Sequence, residues 1–481
     1  MKPGFFYITT TLPYVNAEPH VGYATEIMRA DVLARAHRLL GEEVFFNTGT
    51  DEHGQKIYQK AMDEGRQPQE YVDEYAAKFD RLRVGLNLSY NNFIRTTDEH
   101  HIRAAQEFWK RCEKNGDIYK AKYRVKYCVG CELEKTDSDL VDGKCPLHPG
   151  KALELIDEEN YFFRFSKYQD RLLELYKERP EFVIPEFRRK EMEEFVGAGL
   201  KDFSVSRIAA KMPWGIPVPG DASAVVYVWY DALVNYISAL GWSEDEVKFN
   251  NFWPGVQVCG KDNLRQQTAM WQAMLMSAGL PGSEQVMVGG FLTVNGQKIS
   301  KSLGNTINPL ELTEKYGIDP VRYYFLGKID PFTDSDFSFE RFEEVYTSDL
   351  ANGLGNLVSR VSAMIEISDL PAGRQGLRFK ILEKREVSKE VTIHLDKFEF
   401  DKAVEWIWER IRECDGIINE KQVWKLEGGE KKVVLVDLVE RIRQIAFDLQ
   451  PFLPETAEKI LKQYSGEKIQ KETGLFPRLT T

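Results

Sequence analysis

The sequence predicts an α/β protein: a doubly wound parallel sheet with a small inserted domain, followed by a C-terminal helical bundle. Three observations carry that expectation. The chain opens as strand, helix, strand; two closely spaced Cys/His pairs lie near residue 140; and the last third consists of segments with apolar residues at three- and four-residue intervals. At 481 residues there is room for about three domains, each with a core.

The first strand is the apolar run Phe5–Thr9. A helix follows from roughly His20 to Leu40, with Ala24, Met28, Val32, Ala36 and Leu39 on one stripe and Gly41 as its stop. Val44 to Thr48 forms the next strand and runs into Gly49-Thr50-Asp51-Glu52-His53-Gly54. This is half of a Rossmann-type sheet, in which ligands bind at the carboxyl ends of the strands. From 118 to 211 short strand-like runs surround the cysteines, with a turn at Asp142-Gly143, and this stretch reads as an insertion. The sheet then resumes with Ala224–Trp229, Phe252–Gly260 and Val286–Val294, and a long helix from Asn263 to Gly279 joins the last two. Helices Val345–Ile367, Phe400–Ile418, Val433–Leu449 and Pro454–Tyr464 make the bundle, with a turn or surface insertion at Asp369–Gly376. The expected domains are therefore 1–117 and 212–341 for the two halves of the sheet, 118–211 for the insertion and 342–481 for the bundle.

Composition narrows the class. Apolar residues make up 43% and charged residues 29%, as in ordinary globular proteins. No stretch approaches the roughly 18 apolar residues of a membrane span, and the first strand begins too near Met1 to leave space for an export peptide. Six cysteines, three of them clustered, argue for metal binding in a reducing compartment, so cytoplasm is expected. The net charge of −11 does not by itself point to nucleic acid, although acid and base are nearly balanced from Arg341 onward.

Two short motifs carry the chemistry. Pro19-His20-Val21-Gly22-Tyr23 stands at a helix N-terminus, where backbone N–H groups and the helix dipole favour phosphate and Gly22 permits close approach. Lys298-Ile299-Ser300-Lys301-Ser302, between Gly296 and Gly304, offers two lysines and two serines that can close over a polyphosphate. Taken singly, each also reads as a structural helix start or a solvated turn. Cys128-Val-Gly-Cys131 and Cys145-Pro-Leu-His148 flank a thirteen-residue loop, and three thiolates with one imidazole suit tetrahedral zinc. Four protein ligands close the sphere, which makes that zinc structural; a metal-free knuckle is the alternative. At the head of Asp51–Gly54, Asp51 reads as a carboxylate for an ammonium group or as a turn cap. Trp229, Ala232, Leu233 and Tyr236 line a cavity or form an aromatic core.

With motifs of this order and spacing, the chain resembles the class I aminoacyl-tRNA synthetases, whose signatures read HIGH and KMSKS, and within them the methionine-specific family. The resemblance runs from the first strand to near the C-terminus. It implies a ligase that activates methionine with ATP to methionyl-adenylate and transfers it to the 3′ adenosine of initiator and elongator tRNA(Met). It also implies that Leu12, Tyr14, Asp51, Trp229, Ala232, Leu233 and Tyr236 form the methionine site, with Gln267 where the family usually has histidine. His20, Gly22, Tyr23, Gly260 and Asp262 fall to ATP, Tyr23 replacing a usual histidine, while Lys298 and Lys301 take the leaving pyrophosphate beside Mg²⁺. Catalysis rests mainly on His20, Lys298 and Lys301. Asn356, Arg360 and Trp424 match anticodon-reading positions, with Val423 in place of a proline. The insertion is too short to hold the editing domain of the branched-chain enzymes, and a monomer is expected. A rival of another class is a catalytically inactive, synthetase-like tRNA-binding protein.

Overall fold

The computed structural model describes residues 2–131, 133–135, 137–299, 304–368, 385–466, 468–469 and 474–479. They divide into two compact units, one of Met1–Pro19, Phe45–Arg81 and Tyr90–Val288, the other of His20–Val44, Leu82–Ser89 and Gly289–Thr481.

The first unit is organised by a six-stranded sheet of β1 (Phe5–Thr10), β2 (Glu43–Thr50), β3 (Asn92–Arg95), β4 (Val183–Ile184), β5 (Val256–Gly260) and β6 (Gln285–Gly289). The strand order is β3-β2-β1-β5-β6-β4, and β1 pairs with β5 in parallel through Ile8↔Val256 and Thr10↔Val258. Chain order reverses between β1 and β5, so the ligand crevice of a doubly wound sheet falls at their carboxyl ends. Rings pack the core here: Phe108 stacks on Trp271 at 5.5 Å and meets Tyr230 at 5.8 Å, edge to face.

The insertion folds as a separate antiparallel sheet, in which Ile118–Cys128 pairs along its length with Glu154–Phe163. Strand β4 also comes from this stretch yet joins the parallel sheet beside β6, through Val183↔Val286. Two expected strands are corrected. The run Val286–Val294 is divided: Gln285–Gly289 joins the parallel sheet as β6, the chain breaks at Gly290 where the Thr333 main chain leaves no space for a Cβ, and Leu292–Val294 pairs in parallel with Ser335–Phe337 in another sheet. Asp221–Val226 is antiparallel to Ser206–Ile208 in a three-stranded sheet of its own, and Val228–Leu233 is helical. An apolar run of this length suits a strand or a buried helix equally, and here it is divided between both. The helix expected from Asn263 to Gly279 does form: after a 3₁₀ turn (Lys261–Asn263) it runs without interruption through a π-helical turn (Gln266–Met270) into an α-helix (Trp271–Ala278) ended by Gly279 at φ +70°.

The second unit contains α1 (Val21–Leu39), α2 (Ile318–Gly327), α3 (Asn356–Ser368), α4 (Phe400–Glu420), α5 (Gly428–Leu449) and α6 (Pro454–Tyr464). Buried Arg322 of α2 ties that helix to α1 and to the turn between α5 and α6. It pairs with Asp31 of α1 at 2.8 Å and donates to the carbonyls of Leu86 (3.1 Å), Pro451 (2.9 Å) and Phe452 (2.7 Å). A buried guanidinium is tolerated because each face finds an acceptor. The segment expected as an insertion at 369–376 lies outside the described residues.

Candidate active site

The residues expected to bind an amino acid begin where β1 and β2 end. Asp51 is buried, at 7% exposure, and its main chain clamps the loop after β1: Asp51 N donates to Pro13 O at 3.0 Å, and Val15 N to Asp51 O at 3.2 Å. Tyr14 and Asp51 are thereby bridged in parallel, and Leu12 is buried beside them. Of the other residues expected there, Ala232 and Leu233 are buried on helix Val228–Leu233, Trp229 is half-buried, and Tyr236 is buried on the next turn. Gln267 belongs to the π-helical turn, a geometry frequent at functional sites. Its Nε2 donates to the Tyr236 hydroxyl and, at 3.4 Å, to Thr11 Oγ1, while its Oε1 is buried with no hydrogen-bond partner among the described residues. Gly260 ends β5, and Asp262 lies exposed in the 3₁₀ turn that follows. Two sets of contacts thus meet on the loop after β1: Tyr14 is bridged to Asp51, and Gln267 joins Tyr236 to Thr11.

A buried cluster beside these residues carried no recognised signal in the sequence. Asp231 lies between His53 Nδ1 and His101 Nε2, each 2.7 Å from one of its oxygens, and His101 Nδ1 meets Ser238 Oγ at 2.8 Å. Burial pushes the Asp231 carboxyl up, but the charge of His53 and the hydrogen bonds from both histidines outweigh it and hold the group below its ordinary value. Proximity in sequence was the available signal. His53 follows Asp51 by two residues and Asp231 precedes Ala232.

In the second unit His20 caps α1, its Nδ1 accepting from Gly22 N at 3.1 Å. A neutral His20 ring with Nδ1 as acceptor carries its proton on Nε2, which makes Nε2 a donor. A side chain at Gly22 would put its Cβ 2.9 Å from His20 Cε1, so the glycine is required for this cap. Tyr23 is half-buried, and no acidic residue occupies the first turn. Lys298 ends a hairpin whose strands Leu292–Val294 and Gln297–Lys298 turn through Asn295-Gly296, both at positive φ (51° and 72°). Gly296 N donates to Asp336 Oδ1 at 2.8 Å, which fixes the turn rather than leaving it loose. Ser300, Lys301 and Ser302 lie outside the described residues.

The Cys/His cluster matches its sequence signal. The ligand atoms of Cys128, Cys131, Cys145 and His148 all lie within 4.8 Å of one another, a set consistent with one metal ion. A Cβ at Gly130 would fall 2.5 Å from the His148 ring, so this knuckle needs glycine where the imidazole covers it. In the bundle, Asn356 is exposed at the start of α3, and Arg360 reaches Asp415 Oδ1 (3.1 Å) and Asn419 Oδ1 (3.0 Å) on the last turns of α4. Trp424 stands just beyond, on the turn Val423–Lys425, with Val423 buried and the indole 51% exposed. Exposure of that size excludes the core role most tryptophans have.

A sequence profile described as "tRNA synthetases class I (M)" matches residues 6–154 and 148–362. The chain belongs to this methionyl-tRNA synthetase family. The methionine–tRNA ligase of Thermotoga maritima is 42% identical over 96% of this chain and 76% of its own length, and that of a Synechocystis species is 42% identical over 95% and 89%. The fold agrees. Mycobacterium tuberculosis methionyl-tRNA synthetase in complex with methionyl-adenylate superposes with a TM-score of 0.90 at 35% identity, covering 99% of this chain and 100% of that one. The apo form of the same enzyme gives 0.84 at 32% identity, covering 100% and 99%. Membership assigns the activity: the chain is a class I methionine–tRNA ligase. Among the described residues no helix is long and apolar enough to cross a membrane.

Proposed function

We propose that Leu12, Tyr14, Asp51, Trp229, Ala232, Leu233, Tyr236 and Gln267 hold methionine. The buried Asp51 carboxylate at the carboxyl end of β2 supports this most directly, because an anion there can face the substrate's ammonium with little screening by water. The thioether packs against the Trp229 and Tyr236 rings, worth about 0.3–1.5 kcal/mol per contact. Gln267 holds the Tyr236 hydroxyl in place, which gives the departure from the family's histidine a working substitute.

ATP is assigned to His20, Gly22, Tyr23, Gly260 and Asp262. A methionine carboxylate oxygen attacks the α-phosphorus, a new P–O bond forms, and the α–β anhydride breaks to release pyrophosphate. Positioning and cationic charge do most of this work, since the barrier is phosphate repulsion. His20 Nε2 donates to the phosphates, and Lys298 and Lys301 neutralise the departing pyrophosphate, with Mg²⁺ entering as the counter-ion of ATP. In the second step a ribose hydroxyl of the tRNA 3′ adenosine attacks the acyl carbon and AMP leaves.

Zinc is the metal that three thiolates and one imidazole suit best, and when bound it would tie the insertion together without taking part in chemistry. Asn356, Arg360 and exposed Trp424 read the anticodon, by hydrogen bonds to an unstacked base and by ring stacking. The working form is a cytoplasmic monomer. Charging of initiator and elongator tRNA(Met) transcripts, with sedimentation of the purified chain and metal analysis, tests these assignments. No charging of either transcript would overturn them.

A further inference from the structure

The cluster around Asp231 joins the three segments that line the amino-acid pocket. His53 extends from the Asp51 strand end, Asp231 lies on the helix of Trp229, Ala232 and Leu233, and Ser238 is two residues beyond Tyr236. His101, on helix Glu99–Lys114, closes the set from behind. All four side chains are buried, and their contacts run His53 Nδ1 to Asp231 Oδ2 (2.7 Å), Asp231 Oδ1 to His101 Nε2 (2.7 Å) and His101 Nδ1 to Ser238 Oγ (2.8 Å).

We propose that this His53–Asp231–His101 clasp sets the spacing between the ammonium-binding carboxylate of Asp51 and the wall of Trp229, Leu233 and Tyr236, and so determines selectivity for side-chain length. These are positioning residues. A carboxylate accepts from both imidazoles at once, one on each oxygen, so the Asp51 strand end and the Trp229 helix are held to a single buried anion. The packing around it offers no slack. Tyr230, beside Asp231, is fully buried against Phe108 at 5.8 Å and Trp109 at 5.6 Å, and Tyr236 meets Trp271 at 5.9 Å. Neither van der Waals contact nor an apolar wall distinguishes neighbouring homologues strongly, because one methylene in such a pocket is worth only about 10- to 200-fold. A fixed wall-to-carboxylate distance recovers that factor. A wall free to shift would lose it.

The two histidines use different nitrogens toward Asp231, and that difference supplies the test. An asparagine amide reproduces a donor at the Nδ1 position, and a glutamine amide reproduces one at Nε2. His53→Asn and His101→Gln therefore keep the clasp, whereas His53→Gln and His101→Asn misplace the donor at nearly the same size and polarity. The measurement is methionine-dependent and homocysteine-dependent ATP–pyrophosphate exchange, read as kcat/KM for each substrate, with KM for ATP and thermal unfolding alongside.

The expected pattern crosses over. Asn is tolerated at 53 and Gln at 101, while each misplaced variant raises KM for methionine and lowers the methionine-over-homocysteine preference by about tenfold, with KM for ATP unchanged. General damage to the core would not invert its preference between Asn and Gln from one position to the other. The same order at both positions, unchanged selectivity in all four variants, or loss of folding in His53→Asn and His101→Gln overturns the proposal. It rests on the assignment of the methionine pocket. Wild-type protein that performs no exchange with methionine refutes that assignment, whereas active wild type with four indistinguishable variants refutes only the clasp.

Discussion

Replacing Asp51 by asparagine removes one negative charge. The side chain keeps its size, and the bonds that fix the loop, Asp51 N to Pro13 O at 3.0 Å and Val15 N to Asp51 O at 3.2 Å, are main-chain and survive. The fold should therefore be retained, and thermal unfolding checks it. What is lost is the partner of the substrate's ammonium in a position only 7% exposed. Removing one member of a buried ion pair costs about 3–5 kcal/mol, and the small access of water to Asp51 favours the lower figure. At about 1.4 kcal/mol per factor of ten, KM for methionine should rise by about a hundredfold or more. The assay is ATP–pyrophosphate exchange over a range of methionine at saturating ATP, repeated over ATP at saturating methionine. KM for ATP should stay near that of the wild type. Equal losses for both substrates, or an unchanged KM for methionine in a folded variant, would refute the reasoning.

Gly130→Ala places a methyl 2.5 Å from the His148 ring, so metal content should fall and the unfolding temperature with it; full metal occupancy measured by elemental analysis would contradict this. Trp424→Ala should leave exchange untouched and weaken tRNA charging by the equivalent of one stacked base, about 1–3 kcal/mol, which aminoacylation kinetics will show. Acid should release the Asp231 clasp. Its carboxyl is held below the ordinary value, so its stabilisation is complete above the unfolded value of about 3.9 and is lost as pH falls through the folded one. Thermal unfolding of wild type and Asp231→Asn should converge below that pH, and a gap independent of pH would count against it.

Much of the fold was legible because the signals were local. The strand at Phe5, the helix stopped by Gly41 and the cysteine pairs each carry their pattern within a few residues, and helix α6 begins and ends where its proline and apolar stripe place it. The run Ala224–Trp229 was not legible in the same way. Its apolar residues suit a strand or a buried helix, and only pairing with Ser206–Ile208 and the turn into Val228–Leu233 decide between them. Of the proposed site, Asp51 and Tyr236 were named from the motifs and the family resemblance. The part played by Gln267 required the Tyr236 hydroxyl to be in view, and the joining of His53 to Asp231 spans 178 residues, a separation over which no periodicity in the sequence carries information. The Asn295-Gly296 turn was available from the dipeptide itself, which favours positive φ at both positions.

The most direct test is ATP–pyrophosphate exchange by the purified chain with each of the twenty amino acids and Mg²⁺, without tRNA. Methionine should support exchange far above every other amino acid. Exchange with none of them, or preferential exchange with one other than methionine, would contradict the assignment of the Asp51–Tyr236 pocket to a thioether substrate.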